Sequence, residues 1–176
     1  MTTHADGPVA LSMADTGARF SLRIGVTPDD LAAAETAFGA PIFATIGARG
    51  REAGRESLCL GPDEWVLTAP EADRAPIATA FAGIGAAHPH SLVDISDREI
   101  AIDLEGEAVT ALLAQGIAID LDAFPSGHGT RTVYDGITVV LRRDAAHAFR
   151  LEAWRSFVPH VWHRLTEGNK ELALGI

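Results

Sequence analysis

Seven histidines are the first residues to weigh for chemistry in this chain. His160 and His163 stand at i, i+3, a spacing that puts two imidazoles on one helix face, as a metal site needs. No cysteine or further histidine accompanies them, and Val161, Trp162 and Leu165 recur around them like core residues, so a structural or surface role is expected. His88 and His90 flank Pro89, and His128 lies between Gly127 and Gly129. Each could serve as a ligand or base, but the sequence places no partner for any of them. The single cysteine, Cys59, alternates with Leu58 and Leu60, which predicts a buried or edge thiol and not an activated nucleophile. No Gly-x-Ser-x-Gly run supplies a serine nucleophile.

Carboxylates and arginines offer two further possibilities. Asp94, Asp97, Glu99, Asp103 and Glu105 crowd one short stretch. Its alternation turns Asp103 and Glu105 outward and makes Asp97-Arg98 a local turn pair. Residues 47–55, Gly-Ala-Arg-Gly-Arg-Glu-Ala-Gly-Arg, could hold a phosphate or carboxylate. They show no apolar face, and the expectation is a solvated, mobile loop. Gly83-Ile84-Gly85 lacks the third glycine of a dinucleotide fingerprint and opens no helix, and the one lysine, Lys170, sits in no Walker loop. Trp65, Trp154 and Trp162 could stack a ring ligand, but each lies in an apolar periodic pattern and is assigned to the core. The sequence thus assigns no catalytic, cofactor-binding or metal-ligating residue to this chain.

The elements that would position these residues follow from periodicity. Phe20, Leu22 and Ile24 alternate with polar neighbours as a strand. Thr27-Pro28 caps an alanine-rich helix over 28–38 that Gly39 ends. Residues 41–46 read as a possible strand, 57–60 and 65–68 as a hairpin around Gly61-Pro62-Asp63, and 71–81 as a helix with Ile77 and Phe81 inward. Leu92, Val93 and Ile95 form a short strand, and Ile100, Ile102 and Leu104 a second; a helix follows over 107–115. Strands are expected at 117–121, 130–134, 137–141 and 148–152, with Asp135-Gly136 as a hairpin turn, and an amphipathic helix at 154–166. The order strand-helix-strand-strand-helix occurs twice. The fold class is therefore α+β, pseudo-duplicated, with helices on one side of antiparallel or mixed sheets. Residues 1–17 are expected to form a flexible N-terminal arm or edge extension. A single domain spans 18–168 in two similar halves, 18–86 and 91–168, with a tail at 169–176.

Composition excludes several function classes. Apolar residues make up 47% and charged residues 22% of the chain, the balance of a globular protein. The formal net charge of -10 disfavours nucleic acid as a partner. No window approaches the ~20 apolar residues that cross a bilayer. The N-terminal Met-Thr-Thr-His-Ala-Asp carries an acid where a signal peptide needs a positive charge, so a cytoplasmic location is expected.

An ordered set of fragments carries a resemblance. Leu60-Gly61-Pro62-Asp63-Glu64-Trp65-Val66-Leu67, Ser91-Leu92-Val93-Asp94-Ile95-Ser96-Asp97-Arg98, the helix ending at Gly116 with Ile119-Asp120-Leu121 and Ala123-Phe124-Pro125, and Arg155-Ser156-Phe157 within 149–162 resemble the gamma subunit family of heterotetrameric sarcosine oxidase. The match covers residues 55–167. The resemblance implies a small non-catalytic subunit that packs on and stabilises an alpha subunit, with beta and delta subunits in the same complex. It implies that the complex demethylates sarcosine to glycine oxidatively, with FAD, FMN, NAD and tetrahydrofolate on the partner subunits and no cofactor on this chain. It also implies the fold of the aminomethyltransferase folate-binding domain. Those folate enzymes carry a Thr-Gly-Tyr-Thr-Gly-Glu type motif; the one tyrosine here is Tyr134, in Val133-Tyr134-Asp135-Gly136. Two other implied readings are the equivalent subunit of a related N-methyl amino acid dehydrogenase and a free-standing folate-binding or one-carbon-transfer protein.

Overall fold

The computed structural model describes residues 3–4 (backbone alone), 7–14 and 17–175. Two strands open the chain, β1 (Thr3–His4) and β2 (Ala10–Met13). A first half follows as β3 (Ala18–Ile24), α1 (Pro28–Phe38), β4 (Arg49–Glu52), β5 (Arg55–Gly61), β6 (Glu64–Ala69), α2 (Arg74–Ile84) and β7 (His90–Asp94). The second half repeats the order as β8 (Glu99–Glu105), α3 (Val109–Ala114), β9 (Gly129–Tyr134), β10 (Ile137–Ala145), β11 (Ala148–Trp154) and α4 (Val158–Leu174). Both sheets are antiparallel in every pairing, and the class is the expected α+β.

The sheet orders are β4-β5-β6-β3-β7 and β9-β10-β11-β8-β2-β1. Aligned on β3 and β8, the two orders match through five strands, and the fifth position holds an exchanged strand. β2 runs directly ahead of β3 in sequence but pairs with β8, Leu11 opposite Leu104. β7 runs directly ahead of β8 but pairs with β3, Leu92 opposite Leu22. The two compact units are accordingly Thr16–Ser96 and Met1–Asp15 with Asp97–Ile176.

In the first unit, local chemistry fixes α1. The Thr27 hydroxyl accepts from the Asp30 backbone N–H at 3.2 Å, Pro28 takes the first turn, and Gly39 closes the helix at φ 76°. Phe20, Leu22, Trp65 and Leu67 on the sheet meet Ala34, Phe38, Ile77 and Phe81 on the two helices, all buried. Each large side chain so buried contributes about 1.5–3 kcal/mol. In the second unit Leu11, Ile102, Leu104, Leu141, Phe149 and Leu151 pack against Val109, Leu112 and Leu113 of α3 and Val158, Val161 and Leu165 of α4.

Several expectations are corrected. Residues 47–55 are not a mobile loop: β4 pairs with β5 through Arg49 opposite Leu58, and Ala53-Gly54 make the turn. Charge supplies what an apolar face would, because Glu56 on β5 takes Arg49 at 2.8 Å and also pairs with Arg51 of β4. Gly50 is required there, since a Cβ would overlap the Pro41 carbonyl oxygen. Residues 41–46 form no strand, and 117–121 contribute one isolated bridge, Ile117 to Tyr134. Ser91 does not begin the second half, because β7 completes the first sheet. Of the two readings of residues 1–17, an arm or an edge extension, residues 10–13 follow the second, as a strand beside β1 at one edge of the sheet; residues 1–2, 5–6 and 15–16 lie outside the described residues. The last helix begins at Val158, Trp154 ends β11, and most of the expected tail is helix.

That helical extension has a polar reason invisible to periodicity. Asn169 is fully buried; its Oδ1 accepts from the Val9 N–H at 3.0 Å and its Nδ2 donates to the Val9 carbonyl at 2.8 Å. The amide thus satisfies both backbone groups of a buried residue ahead of β2.

Asn169→Ala leaves the Val9 N–H and C=O unmatched in the interior, so urea unfolding should show a loss of about 2–3 kcal/mol. Gly50→Ala meets backbone and not a yielding side chain, and the same measurement should show a loss of about 1–3 kcal/mol.

Candidate interaction surface

The residues with chemical potential are mostly tied to structural partners. His88 Nδ1 lies 2.9 Å from Asp30, whose other oxygen accepts from the Thr27 hydroxyl at 2.6 Å. Those bonds, Thr27 first and His88 next, hold the Asp30 carboxyl below its usual range. His90 packs its ring edge-on to Phe81, centroids 5.4 Å apart. His160 Nε2 lies 2.9 Å from Asp135, which also pairs with Arg164 at 3.2 Å, so His160 and Arg164 join α4 to the hairpin turn. Among the described residues, no group of three or more His, Cys, Asp or Glu is placed to hold a metal.

The carboxylate stretch disperses in the same way. Asp103 takes Arg150 through two bonds of 2.7 and 3.0 Å; it lies on the face away from the core, as alternation set it, and the ion pair leaves it half-buried. Desolvation raises the Asp94 carboxyl, but hydrogen bonds from Ser96 and the nearby Arg74 outweigh it, and the net shift is downward. Asp97 and Arg98 are not each other's partners: Arg98 pairs with Glu99 at 3.0 Å, and Asp97 offers its carbonyl to Arg155. Cys59 is fully buried, and burial pushes its thiol up. The arginine run offers only an open concavity of residues 51–56, with Arg55 spent on Asp73 and the Phe38 carbonyl.

One expectation about the tryptophans fails, and it exposes the best-built surface feature. Trp65 is core, its Nε1–H donating to the Phe43 carbonyl at 2.8 Å, and Trp162 packs against the second core. Trp154 is 49% exposed. It alternates with Phe149, Leu151 and Ala153, which point inward, so the period of two already set it on the opposite face with Arg150 and Glu152. Reading it as the first residue of the helix hid that signal.

Around Trp154 the chain builds a small platform. Phe157, 41% exposed, lies beside it with ring centroids 6.4 Å apart and planes at 32°. The Phe157 N–H donates to the Trp154 carbonyl at 2.8 Å, closing the turn into α4. The Arg98 guanidinium sits over the indole, 5.5 Å from its centroid. Two bonds tie Arg155 to the turn before β8: its N–H to the Arg98 carbonyl at 2.8 Å and its Nε to the Asp97 carbonyl at 2.9 Å. Two aromatic rings and two guanidiniums thus share one fixed surface. This arrangement can grip planar, apolar and anionic groups.

A family model described as the sarcosine oxidase, gamma subunit family matches residues 26–171. A curated relative from Corynebacterium sp. strain U-96, sarcosine oxidase subunit gamma, is 30% identical over 152 residues, which are 85% of this chain and 72% of the relative. Its namesake from Corynebacterium sp. strain P-1 is 29% identical over 126 residues, 70% of this chain and 61% of the relative. Among solved structures, the chain is similar to one in the heterotetrameric sarcosine oxidase from Corynebacterium sp. U-96 in complex with pyrrole 2-carboxylate. That likeness has a TM-score of 0.87 at 26% identity and covers 97% of this chain and 88% of the other. The glycine cleavage system aminomethyltransferase T from Bartonella henselae shares the fold, with a TM-score of 0.65 at 12% identity over 88% of this chain and 44% of that one.

Tyr134 is the one tyrosine, and burial pushes its phenol up to about 12. A pKa raised by folding stabilises the folded state below the unfolded value of about 10 and is lost as pH rises through the folded value. Alkaline titration should show no phenolate absorbance near pH 10 while the fold persists, and stability should fall between about pH 10 and 12.

Proposed function

The chain belongs to the sarcosine oxidase gamma subunit family, and on that premise we propose that it is a structural subunit of a flavin-dependent heterotetrameric sarcosine oxidase. It packs on the large alpha subunit and stabilises it. Oxidative demethylation of sarcosine to glycine, with FAD, FMN, NAD and tetrahydrofolate, takes place on the alpha, beta and delta partners. The observation that carries this reading is the likeness over 97% of the chain to a chain within the heterotetrameric enzyme. The side chains support it. The histidines and carboxylates with reactive potential serve backbone and ion-pair contacts, while the exposed aromatic platform suits a protein partner. A subunit of this kind stabilises its neighbour by mass action, through binding the folded form alone.

The likeness to an aminomethyltransferase is one of fold, and Tyr134, the one tyrosine here, is buried with its ring against Gly116. No helix among the described residues is long and apolar enough to cross a membrane, and we place the complex in the cytoplasm. The substrate class is sarcosine, with other N-methyl amino acids served by related complexes of the same plan.

Co-expression with the large subunit tests the proposal. The two chains should co-purify, and omitting this one should lower the thermal stability of the large subunit. A chain that stays monomeric and leaves the large subunit unaffected refutes it, and tight tetrahydrofolate binding by this chain in calorimetry replaces it with the one-carbon-transfer reading.

A further inference from the structure

The platform at the end of β11 has features that identify what it receives. Its rings are the exposed members of a strand and turn whose other apolar residues are buried: Phe149, Leu151, Ala153 and Val158 lie inside while Trp154 and Phe157 lie half outside. Its conformation is fixed before any partner arrives, because three backbone-directed bonds, from the N–H groups of Phe157 and Arg155 and from Arg155 Nε, lock the turn. A preset surface loses little side-chain freedom on association. Tryptophan and arginine are also the residues on which binding energy concentrates at protein interfaces.

Charge narrows the partner. The whole chain carries a formal charge of -10, yet this patch presents two guanidiniums. Of the two carboxylates beside them, Glu99 has a side chain only 7% exposed and is held at 3.0 Å by Arg98, and Asp97 is exposed. Among the described residues no carboxylate pairs with Arg155, an exposed residue whose Nε is taken by a carbonyl. A planar guanidinium left in this way matches a carboxylate in a two-point grip. The exposed loop residues Phe43 and Ile46 lack any such cation between them.

We propose that Trp154, Phe157, Arg98 and Arg155 form the anchor by which this chain holds the large subunit, receiving a surface segment that carries aspartate or glutamate beside apolar or planar side chains. The inference rests on the structural-subunit reading above and adds to it the site and the chemistry of the contact. The rings and the stacked Arg98 supply desolvated area, and the Arg155 guanidinium, which no carboxylate of this chain pairs with, selects an acidic segment and fixes its register.

A competition in the assembling complex tests this. A tagged variant and the untagged wild-type chain are co-expressed with limiting large subunit, and the ratio of the two in the purified complex is read. Trp154→Ala should lower the variant's share about 30-fold or more. Phe157→Ser and Arg155→Glu, both at exposed positions, should lower it about 10-fold each. Arg155→Glu should also remove part of the complex's sensitivity to added salt, and Ile46→Ser should compete like the wild type. Soluble yield and circular dichroism of each tagged chain separate lost binding from lost folding; if Trp154→Ala unfolds, the two milder variants decide. Variants that compete as well as the wild type overturn the anchor and leave the structural-subunit reading standing, as does an equal loss in Ile46→Ser. A wild-type chain that fails to join the large subunit overturns both.

Discussion

The central strands of the two sheets must be hydrogen-bonded along both edges, and the way this chain meets that requirement shapes everything else. A buried strand with one open edge leaves a row of unmatched N–H and C=O groups. β3 obtains one neighbour, β6, from its own half, and β8 likewise obtains β11. The other neighbour comes in each case from the strand that leads into the opposite half. The exchange has unequal results: the first sheet closes with β7 inside one continuous stretch, whereas the second must take β2 from ahead of the first. This explains why the compact units are Thr16–Ser96 and a discontinuous pair of segments, and why the opening residues are part of a sheet.

Much of the polar chemistry in the chain serves to hold irregular backbone in place around that frame. Asn169 takes both backbone groups of Val9, Ser57 donates to the Pro41 carbonyl, and Trp65 donates to that of Phe43. Arg143 gathers the carbonyls of Leu121, Phe124, Ala145 and Ala146 and so pins a segment that has little regular structure of its own. Side chains that would draw the eye as ligands or bases thus act as clamps.

The parts of the fold legible in the sequence are those set by neighbouring residues. Thr27-Pro28 and Gly39 bound α1, Asp135-Gly136 turns the β9–β10 hairpin with φ of 46° and 81°, and Phe20, Leu22 and Ile24 display the inward face of β3. What escaped were features set by distant residues. β4 is held by ion pairs to Glu56, and no hydrophobic alternation marks it. The last turns of α4 depend on an amide reaching the start of the chain. The exchange of β2 and β7 leaves no mark on local periodicity, because a strand's sequence does not say which neighbour it will take. Trp154 is an intermediate case. Its outward direction follows from the alternation of β11, but its apolar character invited assignment to the core.

The exchanged strand β2 carries a consequence for how the polypeptide is made. Translation delivers Ala10–Met13 first and Glu99–Glu105 only after the whole first sheet has been synthesised. Leu11, sealed in the finished protein, faces water on the ribosome until β8 emerges to meet it. For that interval the nascent chain displays a sticky edge that any extended peptide can pair with. Rapid elongation through α2 and β7, or a holding chaperone, shortens or covers that window, so codon choice within the first half bears directly on how much chain reaches its native partner.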